Sequence, residues 1–244
     1  MTVTFSVLTL FPEMITSYCD ASILGRAQRN QHISVNVVNP RDFTTDKHHR
    51  VDEPPYGGGD GMVMLCEPVV KAYESLLPLP EGTPVLMMSP AGEPFTYRHA
   101  KQWAQDYEHM VFLCGHYEGM DARINQLIPN VQPVSVGDFV LTGGELPALC
   151  MMDAVSRFVP DVVQKAGSVS ADTFENGLLE YPHYTRPAEY RGLKVPDVLL
   201  SGNHAAIDAW RLEQSIGITQ RVRPDLWEKY QEEKKLNKVD KKKK

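Results

Sequence analysis

The sequence predicts an α/β protein built on a mostly parallel sheet, followed by a smaller and mainly helical domain. Three observations carry that prediction. Short β-rich runs alternate with helical patterns through the first 160 residues, an order that yields βαβ units. Periodicity then fails over PDVVQKAGSVSAD (160–172), where small and polar residues collect as they do in an interdomain linker. Beyond it, helical stretches return near 203–216 and 224–236. The expected division is a large domain over 1–160, a linker over 161–172 and a small helical domain over 173–244 with a basic, disordered tail. A chain of 244 residues can fill two cores of that size.

Each element has its own signal. TVTFSVLTL (2–10) alternates and is rich in β-formers, FPEMITSYCDASILGRAQRN (11–30) reads as helix, and ISVNVV (33–38) as a second strand. A helix near 67–77, the strand TPVLMMS (83–89), a helix near 96–106 and the strand MVFLC (110–114) continue the alternation. A helix from about 120 and short strands around 134–141 follow. The next helix starts after Gly144, keeps Leu146, Leu149, Val155 and Phe158 on one side, tolerates Pro147 in its first turn and ends near Pro160. Between the second strand and the 67–77 helix, residues 39–61 are too long and irregular for a plain connector, which favours a functional loop or lid.

Composition narrows the class. Cys19, Cys66, Cys114 and Cys150 are far apart and form no C-x-x-C pair, so they suggest neither a zinc site nor a disulfide framework and read as small core residues of a reducing compartment. No basic leader precedes the first apolar stretch, and no segment approaches eighteen uninterrupted apolar residues; a cytoplasmic location is expected. The net charge of −6 hides a gradient: residues 221–244 hold ten Lys and Arg against five Asp and Glu, a net +5 that leaves −11 on the rest. A basic end on an acidic body suits a module that grips RNA, although the final lysines also read simply as a solvated tail.

Three strand ends share one chemistry: MMSPAGE (87–93), CGHYEG (114–119) and SVGDFVLTGGELP (135–147) each leave an apolar strand for a glycine-containing turn. Ligands of open α/β sheets gather at these carboxyl ends. A phosphate cradle is excluded, because Gly143 and Gly144 are followed by Glu145 rather than by Lys and Ser or Thr. Backbone amides with apolar walls suit an adenine ring better.

The segments PRDFTTDKHHRVDEPPYGGGDGM, SPAGE, CGHYEG, SVGDFVLTGGELPA, DAVSRFVP, LLEYPHYTRP and LLSGNHAAI, in that order, resemble the bacterial tRNA (guanine-N1)-methyltransferase (TrmD) family of the SPOUT superfamily. The resemblance implies transfer of a methyl group from S-adenosyl-L-methionine to N1 of guanosine 37 of tRNA. It implies a deep trefoil knot, which ordinary topology rules do not yield. It also implies a homodimer whose active site is shared between subunits. The cofactor positions it carries over are Met87, Met88, Ser89, Pro90, Gly92, Gly115, Tyr117, Glu118, Val136, Gly137, Asp138, Phe139, Val140, Leu141, Gly143, Gly144 and Pro147. His116 stands where many relatives carry Arg, Asp60 where Pro is common, and Glu180 where an Asp is found.

N1 of neutral guanine carries a hydrogen, so a base must take it as the methyl group arrives. By resemblance that base is Asp172; read alone, Asp172 and Glu175 form a helix capping box. Charge driven onto O6 calls for a fixed cation, a role the resemblance gives Arg157. Read alone, Arg157 is the i, i+4 partner of Asp153. Gly59, Ser168 and Glu180 match positions near the target bases. Arg41, Lys47, His48, His49 and Arg50 of the long loop offer charge for phosphates, as do Arg186, Arg191, Lys194, Arg211, Arg221 and Arg223 of the second domain. Glu118 is linked by the resemblance to a Mg²⁺ requirement, with the ligands of the ion left open. His116, His183 and His204 could be bases or ligands by type, but no histidine shows H-E-x-x-H spacing.

Overall fold

The computed structural model describes residues 2–163 and 173–240. By its internal packing the chain divides into two units, Met1–Lys165 and Ala166–Lys244. Ser168 and Asp172 lie outside the described residues.

The first unit holds a five-stranded, all-parallel sheet of β1 (Val3–Leu8), β2 (Ile33–Val38), β5 (Val85–Pro94), β6 (His109–Leu113) and β7 (Val131–Ser135), in the order β2-β1-β6-β5-β7. The two-residue period of a strand sends alternate side chains to opposite faces. Phe5 and Val7, Leu86 and Met88, and Met110 and Phe112 enter one core, whereas Leu8, Val85, Val111 and Leu113 enter another. Helices α1 (Pro12–Cys19), α2 (Ser22–Arg29), α4 (Tyr97–Asp106) and α6 (Glu145–Ser156) cover the first face. The second is covered by α3 (Cys66–Glu74), the single turn α5 (Ile124–Leu127) and the long loop. The central strands β1 and β6 are buried on both faces, while the edge strands β2 and β7 keep partly exposed positions. Ser6, buried in β1, pairs with His109 Nε2 at 2.9 Å.

Several expectations are corrected. The single helix over 11–30 is two, broken where Ala21 is extended and Ser22 takes φ 49°. Gly25 permits the break: a Cβ there would meet the Asp20 carbonyl oxygen at 2.1 Å, so α2 starts against the end of α1. The helix from 120 shrinks to the turn α5, and the strands around 134–141 reduce to β7, with 136–144 as loop. The long loop, 39–61, carries a 3₁₀ turn (Pro40–Phe43) and the short strand β3 (Asp52–Glu53), which pairs antiparallel with β4 (Val63–Met64) just beyond it, and Arg41 donates to the His49 carbonyl at 2.9 Å.

The second unit contains a short hairpin of β8 (Glu189–Tyr190) and β9 (Leu193–Lys194), then α7 (Asp197–Leu200), α8 (His204–Val222) and α9 (Pro224–Asp240). Asn203 caps α8 through the Ala206 amide, and Pro224 opens α9 at the position where a missing N–H costs nothing. Thr219, fully buried in α8, donates to the Ser215 carbonyl and accepts from the Leu179 amide, tying the start of the unit to its longest helix.

Candidate active site

The carboxyl ends of β5, β6 and β7 enclose a cavity of about 460 Å³ in the first unit. Each wall has a local cause. In β5, Met88 and Glu93 both register with Val134, so residues 89–92 are thrown out of the ladder as a wide bulge. Gly92 closes the bulge against β7, where a Cβ would stand 2.3 Å from the Val134 amide nitrogen. After β6, Tyr117 takes a left-handed φ of 60°, which an L side chain adopts only when its surroundings hold it there. After β7, the Ser135 hydroxyl bridges the amide and carbonyl of Gly137, and the Phe139 amide bonds the Gly137 carbonyl.

Met87, Met88, Ser89, Pro90, Gly115, Tyr117, Glu118, Val136, Gly137, Phe139, Val140, Leu141, Gly143, Gly144 and Pro147 all line this cavity. Gly92 and Asp138 do not: the first packs on the backbone of β7 and the second points to solvent. Phe139 and Val140 are 55 % and 82 % exposed, apolar surface left beside a concave pocket. Gly144 makes the approach possible at the narrowest point, since its Cβ would lie 2.7 Å from Cys114 Cα and 3.0 Å from Met88 Cβ. Such a cradle of glycine backbone with thioether and aromatic walls fits a nucleoside carrying an aliphatic arm.

Sequence reasoning passed over His116, Gly119, Met120, Ala122, Asn125, Val134, Ser135 and Thr142 as lining residues. It also read Glu145 only as a carboxylate that repels phosphate. Glu145 is 1 % exposed and turned away from solvent: Thr9 donates to its Oε1 at 2.5 Å, and His116 Nε2 lies 2.9 and 2.8 Å from its two oxygens. Burial and this neighbouring carboxylate push the Cys114 thiol well above its usual range, which makes it unreactive. Cys114 and Cys19 are core residues as expected, whereas Cys150 is exposed on α6.

Arg157 follows the last turn of α6, half-buried. The Asp153 carboxylate, its expected helical partner, accepts a hydrogen bond from the Tyr18 hydroxyl at 2.7 Å, and this bond pushes the phenol up to about 12. Gly59 sits in the exposed tip of the long loop, where a Cβ would stand 4.0 Å from Pro55 Cγ. The loop's tail is stitched to the cavity: the Glu118 amide donates to Met62, and the Gly119 carbonyl accepts from Met64. Glu180, in the second unit, is paired with His183 at 2.8 Å and borders a separate cavity of about 590 Å³ within that unit. Among the described residues no group of three or more His, Cys, Asp or Glu stands together as a metal site, and no helix is long and apolar enough to cross a membrane.

A family model described as tRNA (Guanine-1)-methyltransferase TrmD matches residues 3–229. A protein of Trichormus variabilis named tRNA (guanine-N(1)-)-methyltransferase is 53 % identical over 231 residues, covering 95 % of this chain and 93 % of that protein. Proteins with the same name from Ruminiclostridium cellulolyticum and Staphylococcus aureus are each 52 % identical, over 92 % and 91 % of this chain and 96 % and 90 % of their own. A match this long takes in all three strand-end loops, the long loop and both units, and on that ground the chain belongs to the tRNA (guanine-N1)-methyltransferase family.

Proposed function

We propose that this protein methylates N1 of guanosine 37 in tRNA, with S-adenosyl-L-methionine as donor, in the cytoplasm. The observation that carries the reading is the cavity at the ends of β5, β6 and β7, formed by the same loops through which the chain matches its family. When bound, S-adenosyl-L-methionine supplies an electrophilic methyl group on a sulfonium. The chain's own contribution is mostly position, since in-line displacement depends on alignment of N1 with that methyl group. Gly143 and Gly144 let the loop before α6 pack against His116, Glu145 and Cys114 and so set the wall beside the donor, and the side chains of Met88, Tyr117, Phe139 and Leu141 exclude water from it. The connection through these loops is proposed to be the trefoil knot of the family.

Asp172 takes the N1 proton as the new N–CH₃ bond forms and the S–CH₃ bond breaks. The electron density left on O6 is met by the Arg157 guanidinium, an interaction stronger in the transition state than in the ground state. Two such chains act together, with the cavity from one subunit and Asp172 from the other. Met14 and Tyr18 on α1 and Leu146 on α6, all large and exposed on adjoining helices, support a partner on that face. The second unit, with Arg186, Arg191, Lys194, Arg221 and Arg223, is proposed to hold the phosphates of the anticodon stem, while Gly59, Ser168 and Glu180 lie near the target bases. Among the described residues no group of three or more His, Cys, Asp or Glu stands around Glu118, and no step is drawn through a magnesium ion.

Methyl incorporation into two tRNA transcripts tests the assignment, one with guanosine and one with adenosine at position 37. The reading expects N1-methylguanosine in the first and no incorporation in the second. Equal incorporation in both would move the target elsewhere in the RNA, and no donor binding by calorimetry would leave a scaffold without catalysis.

A further inference from the structure

At the cavity wall, where His116 is one of the lining residues, Glu145 anchors a buried polar cluster that the proposed proton and methyl transfer do not use. Glu145, buried at the start of α6, accepts from Thr9 of the β1–α1 connection and from His116 of the loop after β6. The imidazole also packs on Phe11, ring centres 4.7 Å apart. Gly143 is tied to the same cluster: a Cβ there would meet His116 Cε1 at 2.3 Å and Glu145 Oε2 at 2.6 Å, so the imidazole and carboxylate fill the space a side chain would need. Around them, His116 and Gly143 form an antiparallel bridge and the Gly144 amide donates to the Gly115 carbonyl at 2.9 Å.

We propose that His116 and Glu145 are a positioning pair for the methyl-donor site: a buried carboxylate clamps the loop after β6 to the loop before α6 and thereby holds Tyr117 in its left-handed conformation at the cavity wall. The proposal rests on the reading of that cavity as the donor site. The physical argument has two parts. A left-handed non-glycine residue persists only where its neighbours over-determine it, and Tyr117 directly follows His116. A buried carboxylate is tolerated only with its hydrogen bonds made, and Thr9 and His116 are the side chains that make them. The two requirements meet in one imidazole, so losing it damages the cavity twice.

Donor affinity, measured by calorimetry on full-length protein without tRNA, tests the pair. His116→Phe keeps the ring on Phe11 but removes the imidazole partner of the buried carboxylate and leaves it the Thr9 hydroxyl, and its donor affinity should fall about tenfold or more. His116→Arg, which keeps an N–H donor and a flat face, should stay within about threefold of the parent. Adding Glu145→Gln to His116→Phe removes the unpaired charge and should recover much of the loss. Affinity for tRNA alone should change less than twofold in all three. Should His116→Phe not fold, Thr9→Val, which deletes the hydroxyl donor to Glu145, is expected to weaken donor binding at least threefold. Donor affinity of His116→Phe or of Thr9→Val within twofold of the parent, or failure of His116→Arg to preserve it, overturns the proposal. A parent protein that does not bind the donor at all overturns the functional reading instead.

Discussion

At the scale of single residues, the proposed chemistry rests on two side chains with different roles. Asp172→Asn keeps the shape but cannot take a proton, and single-turnover methyl transfer at saturating donor and tRNA should slow by about 10²–10⁴-fold with both affinities little changed. Arg157→Lys keeps the charge without the planar fork, and a cation that meets O6 in the transition state should cost about 10²-fold in the same assay. An Arg157 that served only a helical ion pair would be worth a few tenths of a kcal/mol, far less than the loss expected of a cation that meets O6. Protonation offers an independent check on the same wall of the site. Asp121, next to the lining residue Met120, accepts from the Arg123 guanidinium and amide, which hold its carboxyl down at about 2. Its folded value lies below the unfolded one, so the stability it contributes is present above about pH 4 and is lost as pH falls through about 2. In Arg123→Ala, carboxyl titration followed by NMR should return Asp121 toward its ordinary value, and an unmoved titration would count against the contact.

At the scale of elements, the strands were the most legible part of the sequence, because alternation in TVTFSVLTL and the apolar runs TPVLMMS and MVFLC state both period and burial. Phe112 of β6 is fully buried where the central strand meets the helix layer, so Phe112→Ala should destabilise the first unit by about 3–5 kcal/mol in denaturant unfolding. A loss below 1 kcal/mol would contradict its place in the core. Helix limits were less legible, since the break between α1 and α2 depends on Gly25 meeting the Asp20 carbonyl, a contact that periodicity does not encode. The three strand-end loops were visible as a shared chemistry, but the bulge at 89–92 was not, because it exists only through the register of β5 on β7. Nor could the Glu145 cluster be read, with its partners 136 and 29 residues away in sequence.

At the scale of the whole molecule, a cavity on one subunit is joined to a base from another, a basic C-terminal end and an RNA partner. If the site is shared, mixing Asp172→Ala subunits with subunits crippled at Gly144 should restore one working site per heterodimer, read as recovered methyl transfer from two inactive preparations. The absence of recovery would confine each site to a single chain. Composition spoke to this scale only through its gradient: the average charge argues against nucleic acid, and the basic end argues for it. The dimer and the knot came from resemblance alone, because neither leaves a local pattern.

All of this depends on the strand-end cavity being where the methyl donor sits. Calorimetric titration of S-adenosyl-L-methionine into the parent and into Gly144→Ala tests it, because that one methyl group would lie 2.7 Å from Cys114 Cα and 2.9 Å from the Gly115 amide nitrogen and must part the walls. With thermal unfolding confirming that the variant is folded, the account predicts clear binding to the parent and a loss of at least fiftyfold in the variant; equal affinity in the two would place the donor elsewhere.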